Sequence, residues 1–166
     1  HVWMNMNDYL LQIENVKHAL IELDPKHRNL YEKNAREYSR KVKELKKRYE
    51  EELTQPLNTD VIIFHDAFAY LADELGLNVV YTINMDSDSA LSAGELKEII
   101  KEVNLSKIRV MFTEEQFAKS IASSVQSETD AKVYVIDSLV TGDSTKDAYL
   151  TGMEKNLEVL KKALYQ

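Results

Sequence analysis

Polar side chains follow four short apolar runs of this sequence, each at the point where a run ends. The runs cover 61–64, 79–83, 108–112 and 133–136, and the residues that follow them include His65, Asp66, Asn84, Glu114 and Asp137. Imidazole nitrogens and carboxylate oxygens bind divalent metals, and the same groups exchange protons with substrates. These residue types are therefore compatible with a metal site or with acid–base catalysis.

Simpler explanations exist for some of these residues. Asp66 suits the first turn of a helix, because acidic side chains stabilise the positive end of the helix dipole. His65 has no comparable value as a cap, which makes it the stronger candidate. His18 and His27 lie on polar faces of helical segments and are interpreted as solvated. His1 is hard to interpret alone, because its own α-amino group could chelate a metal.

The four runs indicate the elements that position these residues. Short apolar strands that alternate with helical patterns are typical of a parallel sheet covered on both faces. We therefore predict an α/β fold, a small doubly wound parallel four-stranded sheet flanked by helices, with ligands bound beyond the carboxyl ends of the strands. Ser92 and Glu95 predict a capping box, and Gly76 predicts a helix end. The sequence has neither a GxGxxG nor a Walker-type loop, which argues against a nucleotide site.

Two helical segments precede the predicted sheet. Residues 8–23 predict an amphipathic helix with Asn7 or Asp8 as its N-cap, and its apolar stripe comprises Tyr9, Ile13, Val16, Leu20 and Leu23. Asp24-Pro25 predicts the start of a second helix, roughly 40 Å long, that ends before Gln55-Pro56.

Composition excludes several classes of protein. The net charge of -7 argues against nucleic-acid binding, which requires clustered Lys and Arg. The absence of cysteine excludes disulfides and thiolate metal sites. The chain also contains no apolar run of about 18 to 20 residues, the length needed for a transmembrane segment.

Five ordered segments carry a resemblance to a known family. They are HVW at 1–3, ALIELDP at 19–25, YEKNAREY at 31–38, FHDAFAYLADELGL at 64–77 and AKVYVIDSL at 131–139. Together they resemble the zinc/manganese solute-binding proteins of ABC transporters. In that family a long rigid helix joins two α/β lobes, and the metal lies between the lobes. The resemblance implies that residues 1–24 are the tail of an amino-terminal lobe absent here, 25–55 the linking helix and 56–166 the carboxy-terminal lobe.

The resemblance also implies a ligand set. It identifies His1, His65 and Asp137 as metal ligands, with a further histidine from the absent lobe. Zn²⁺ is the expected metal and Mn²⁺ the alternative, because a histidine at position 65 favours zinc. Glu114, Asp66 and Asn84 are expected to support the ligands or to lie at the entrance to the site. Ser138 departs from the family, which has proline there, and the segment from Asn84 to Ser89 departs as well.

The expected function is capture of a divalent metal outside the cytoplasm and its delivery to an ABC permease, without catalysis. The location would be the periplasm, or the cell surface by a lipid anchor outside this chain. One alternative is an α/β hydrolase or transferase with His65 as general base, and another is an adhesin-type interaction module. Without the first lobe, the 8–23 helix is expected to drive self-association, and His1 is expected to be displaced or poorly ordered.

Overall fold

The structure, a computed structural model, describes residues 1–64, 66–83 and 92–166, without the side chains at 117 and 119–123. Within these ranges the elements are α1 (Met6–Leu23), α2 (Arg28–Glu52), β1 (Asp60–Phe64), α3 (Ala69–Glu74), β2 (Asn78–Ile83), α4 (Ala93–Ser106), β3 (Val110–Thr113), α5 (Glu115–Glu128), β4 (Lys132–Val135) and α6 (Ala148–Leu164). No helix in the described part is both long and apolar enough to cross a bilayer.

The four strands form one parallel sheet with the order β2-β1-β3-β4. Successive residues of β1 point to opposite faces, so Val61 and Ile63 join one buried cluster while Ile62 and Phe64 join the other. The first cluster also contains residues of α2 and α6, and the second contains residues of α4 and α5. Both faces of the sheet are therefore covered, and the predicted doubly wound fold is confirmed.

Two predicted helix boundaries are confirmed by local geometry. The Ser92 hydroxyl accepts from the Glu95 backbone N–H at 3.2 Å, and the Glu95 carboxylate accepts from the Ser92 N–H at 2.8 Å. These reciprocal bonds are the capping box at the start of α4. Gly76 follows α3 with a φ of +63°, a left-handed conformation that glycine adopts without steric cost.

The predicted starts of the first two helices need correction. The N-cap of α1 is Asn5, whose side chain accepts from the backbone N–H groups of Asn7 and Asp8, so the prediction of Asn7 or Asp8 as the cap was wrong. Asp24-Pro25 opens a single 3₁₀ turn, Pro25–His27, before α2 begins at Arg28. The Asp24 carboxylate accepts instead from the Tyr31 hydroxyl at 2.9 Å.

The second half of α2 packs along α6, and the two helices run in the same direction. The Tyr49 hydroxyl, within the core, donates to the Met153 carbonyl at 2.7 Å. Three ion pairs join the same helices at successive positions: Lys41 with Asp147 at 2.8 Å, Arg48 with Glu154 at 3.1 Å and Lys161 with Glu52 at 2.7 Å. The 25 residues of α2 extend about 37 Å, in line with the predicted long helix.

The apolar stripe of α1 is only partly covered. Tyr9 and Ile13 pack against the core cluster, and the Tyr9 ring stacks on Tyr149 with ring centroids 3.8 Å apart. Val16 and Leu23 are 59% and 84% exposed. The end of α1 therefore presents apolar surface, whereas its beginning packs against the core. Self-association through the 8–23 helix remains a prediction, as do the domain bounds 1–24, 25–55 and 56–166.

Candidate metal centre

The candidate site lies at the carboxyl ends of the strands. The central strands β1 and β3 are neighbours, and their connections to the edge strands β2 and β4 lead in opposite directions across the sheet. Such a switch point leaves a crevice in which α/β proteins bind ligands. Glu114 follows β3, and Asp137 follows β4 after one intervening residue. His65 and Asn84 lie outside the described residues, so their predicted roles remain predictions.

Asp137 lies in a tight turn, and its side chain is exposed to solvent. Its Oδ1 accepts from the backbone N–H of Leu139 at 2.8 Å. The buried side chain of Asn156 bonds to the Asp137 backbone on both sides, because it accepts from the N–H at 3.0 Å and donates to the carbonyl at 2.8 Å. The backbone of the predicted carboxylate ligand is therefore fixed, while its second oxygen, Oδ2, has no hydrogen bond to any described residue.

The segment that carries His1 packs beside this turn. The Trp3 indole N–H donates to the Ser138 carbonyl at 2.8 Å, and the Trp3 carbonyl accepts from the Tyr149 hydroxyl at 2.8 Å. The His1 and Trp3 rings are in contact, with centroids 4.9 Å apart. Met4 is fully buried in the core. The segment that follows His1 is therefore held against the core through Trp3 and Met4, whereas the expected displacement of His1 from the ligand position remains a prediction.

Glu114 is hydrogen-bonded to the same turn. It is 7% exposed, and its Oε1 accepts from the Ser138 hydroxyl. Its Oε2 accepts from the Gln116 side-chain amide at 3.4 Å. Ser138, which departs from the family pattern, thus connects the end of β3 to the turn after β4. Asp66 is exposed in the 3₁₀ turn Asp66–Phe68, which is compatible with a position at the entrance.

A cleft of about 750 Å³ opens beside the turn, and its walls include Trp3, Asp137, Tyr149 and Gly152. The residues predicted as ligands offer two imidazoles and a carboxylate, a donor set that suits Zn²⁺. In the part of the chain that the structure describes, no three His, Cys, Asp or Glu side chains converge on one point. His1 and Asp137 alone would make an incomplete set.

Glu74, at the end of α3, bonds to the start of α1, the helix that follows His1. Its Oε2 accepts from the Met6 backbone N–H at the start of α1 at 2.7 Å, and its Oε1 is buried without a hydrogen-bond partner among the described residues. Burial raises the pKa of the Glu74 carboxyl, while the Met6 N–H and Lys46 oppose the increase. The carboxylate of Glu74 is therefore held partly desolvated at the start of the helix that follows His1.

This burial predicts a pH-dependent effect of Glu74→Gln. A carboxyl whose pKa is higher in the folded state stabilises the fold at pH values below its ordinary pKa of 4.5, and this contribution is lost as pH rises through the raised value. Glutamine does not titrate, so the melting temperature of the variant relative to wild type should increase by a few degrees between pH 4.5 and pH 7. Thermal denaturation at both pH values measures this difference. Glu51→Gln, at an exposed position on α2, should show no such change.

Sequence reasoning missed three residues that support the site: Asn156, Gly152 and Tyr149. Asn156 carried a detectable signal, because it is a polar residue on the apolar face of α6, between Met153 and Leu157. A buried amide on such a face requires partners. Gly152 and Tyr149 carried no comparable signal, because their contacts are with residues remote in sequence.

Comparisons with known proteins point to one family. The family described as "Zinc-uptake complex component A periplasmic" (ZnuA) matches residues 1–163. The zinc-binding lipoprotein AdcA of Streptococcus pneumoniae is 32% identical over 170 residues, which cover 100% of this chain and 34% of that protein. The zinc uptake protein ZnuA of Bacillus subtilis is 32% identical over 172 residues, 99% of this chain and 53% of that protein. The chain thus spans about a third to half of these relatives.

Solved structures with the same fold include two that hold different metals. The Zn(II)-bound ZnuA-like domain of S. pneumoniae AdcA has a TM-score of 0.81 and 29% identity, with 100% of this chain and 64% of that chain covered. FpvC of Pseudomonas aeruginosa in complex with Mn²⁺ has a TM-score of 0.87 and 25% identity, with 99% and 62% covered. The laminin-binding protein Lbp of Streptococcus pyogenes has a TM-score of 0.82 and 29% identity, with 99% and 65% covered.

Proposed function

Because this chain belongs to the periplasmic zinc-uptake component A (ZnuA) family, we propose that it forms the carboxy-terminal lobe of a protein that captures Zn²⁺ and delivers it to an ABC permease. The family binds metal for transport and is not a family of enzymes, so the hydrolase alternative with His65 as general base is not retained. The extracytoplasmic location predicted from the resemblance agrees with the periplasmic family and its lipoprotein relatives.

The observation that carries this proposal is the contact between the first residues of the chain and the turn that follows β4. Trp3 donates to Ser138, so the residue two positions after His1 is bonded to the residue directly after Asp137. Two predicted ligands that are remote in sequence are thereby tied to one turn. We propose that His65 and a histidine of a preceding lobe complete the ligand set. Glu114 would support the turn through Ser138 and not bind the metal itself.

The preference for zinc over manganese rests on the donor set. Imidazole nitrogens suit zinc, whereas manganese favours oxygen ligands and a higher coordination number. The Oδ1 atom of Asp137 already accepts the Leu139 N–H, which favours coordination through Oδ2 alone. A carboxylate that binds through one oxygen fits a closed four-coordinate zinc shell. Relatives that bind other metals, among them the iron-binding protein YfeA of Yersinia pestis, make a direct test necessary.

The decisive experiment measures the metal that the full-length protein carries in its host. Protein isolated without added metal should contain one zinc per chain by elemental analysis. A strain without the gene should grow poorly under zinc chelation, and added zinc, but not manganese, should restore growth. Restoration by manganese or iron alone would refute the zinc preference. A metal-free protein in a strain with no growth defect would refute metal capture altogether.

The adhesin alternative is kept as a second proposal, because two structural neighbours, Lbp of S. pyogenes and Lmb of Streptococcus agalactiae, are laminin-binding proteins. Capture of immobilised laminin by the full-length protein, with and without a chelator, would test it. Absence of laminin binding in both conditions would contradict this proposal and leave metal capture unaffected.

A further inference from the structure

Asn156 is a buried polar residue on the core face of α6, and its side chain bonds to both the backbone N–H and the backbone carbonyl of Asp137. It is 2% exposed. Its Oδ1 accepts from the Asp137 N–H at 3.0 Å and its Nδ2 donates to the Asp137 carbonyl at 2.8 Å. The planar amide of Asn156 therefore holds the peptide groups before and after the Asp137 α-carbon at once, and this sets the direction in which the Asp137 side chain leaves the backbone.

The same face of α6 also supports the residue that closes the turn. Leu139 has a φ of +59°, a left-handed conformation that is sterically unfavourable for leucine. The Leu139 side chain lies directly over Gly152, one helical turn before Asn156. A Cβ atom at position 152 would lie 2.2 Å from the Leu139 Cδ2, so any side chain there must displace this methyl group and with it the packing of the Leu139 side chain on α6. The backbone N–H of Leu139 is the group that holds Asp137 Oδ1.

We propose that Asn156 and Gly152 are positioning residues of the metal site, through which α6 orients the Asp137 carboxylate toward the metal. This inference rests on the proposed function, in which Asp137 is a ligand. Neither residue would touch the metal. Groups that orient a metal ligand typically change metal affinity about 10- to 100-fold when they are removed. Loss of the Asn156 amide should therefore weaken binding by that factor.

The test compares Asn156→Ala with Asp137→Ala and Leu160→Ala in the full-length protein. Leu160 is fully buried on the same helix, and its apolar side chain can form no hydrogen bond with the turn. The Leu160→Ala variant therefore reproduces a loss of core packing alone. Zinc affinity is measured by competition with a chromophoric chelator, and the site geometry by the visible spectrum of bound Co²⁺. Asn156→Ala should bind zinc about 10- to 100-fold more weakly, with an altered Co²⁺ spectrum. Leu160→Ala should keep both wild-type values.

Gly152→Ala is the second variant, in case Asn156→Ala does not fold. It should also weaken zinc binding and alter the Co²⁺ spectrum, because the added methyl group displaces Leu139. If Asp137→Ala abolishes binding while the folded variants at 152 and 156 retain wild-type affinity and spectrum, the positioning role is wrong. An equal loss in Leu160→Ala and Asn156→Ala would also overturn it. If Asp137→Ala itself binds like wild type, the proposed ligand assignment fails instead.

Discussion

His65→Ala should lower the zinc affinity of the full-length protein by orders of magnitude while leaving it folded. In a closed four-coordinate shell each ligand contributes directly to the binding free energy, and alanine removes an imidazole that no neighbouring water replaces equally well. Isothermal titration calorimetry, with a competing chelator to bring the wild-type affinity into range, measures the difference. Circular dichroism establishes that the variant retains its secondary structure.

His18→Ala is the matched control for this loss. His18 is an exposed histidine on α1, so its removal changes the histidine content without changing the proposed site. The control should bind zinc like wild type. An unchanged affinity in His65→Ala would contradict the ligand assignment for this residue. An equal reduction in both variants would show that the effect is not specific to the site.

Leu157→Ala should destabilise the fold by about 2–5 kcal/mol, the range for removing a buried leucine side chain. Leu157 is fully buried on α6 in the cluster that also contains Val42 and Leu45 of α2 and residues of β1 and β3. The cost has two parts, the lost transfer free energy and the cavity that remains between the sheet and two helices. Urea denaturation followed by circular dichroism measures the change in the free energy of unfolding.

Leu11→Ala gives the comparison, because Leu11 is 62% exposed on α1. Its substitution should change the free energy of unfolding by less than about 0.5 kcal/mol. A cost below about 1 kcal/mol for Leu157→Ala would show that the packing around α6 is looser than the burial of this residue indicates. That result would also weaken the expectation that α6 can orient the Asp137 turn.

The strands and several helix boundaries could be predicted because their signals are local. The run Val61 to Phe64 is apolar and short, and the Ser92 and Glu95 pair is a complete capping box within four residues. The cap of α1 was misplaced because Asn5, Asn7 and Asp8 are all suitable residue types. The helix begins after Asn5 because the 3₁₀ turn Val2–Met4 precedes it and Glu74 accepts from the Met6 N–H, and neither contact can be read from the local sequence.

The candidate site was predictable in part for the same reason. Glu114 and Asp137 were found because they follow the ends of strands, a position that can be read directly from the sequence. The contacts that hold them could not be predicted, since Trp3 and Ser138 are 135 residues apart in the sequence. His1 was assigned from the family resemblance alone. His65 and Asn84 lie outside the described residues, and their roles depend on the experiments above.

The parallel packing of α2 against α6 joins the second half of α2 to the sheet. The Tyr49 hydroxyl bonds to α6 within the core. The three ion pairs extend the contact along α2 from Lys41 to Glu52. We therefore expect the half of α2 from Lys41 to Glu52 to move together with α6 and the sheet. A displacement of this half of α2 would then carry the strand ends, and the turn that holds Asp137, with it.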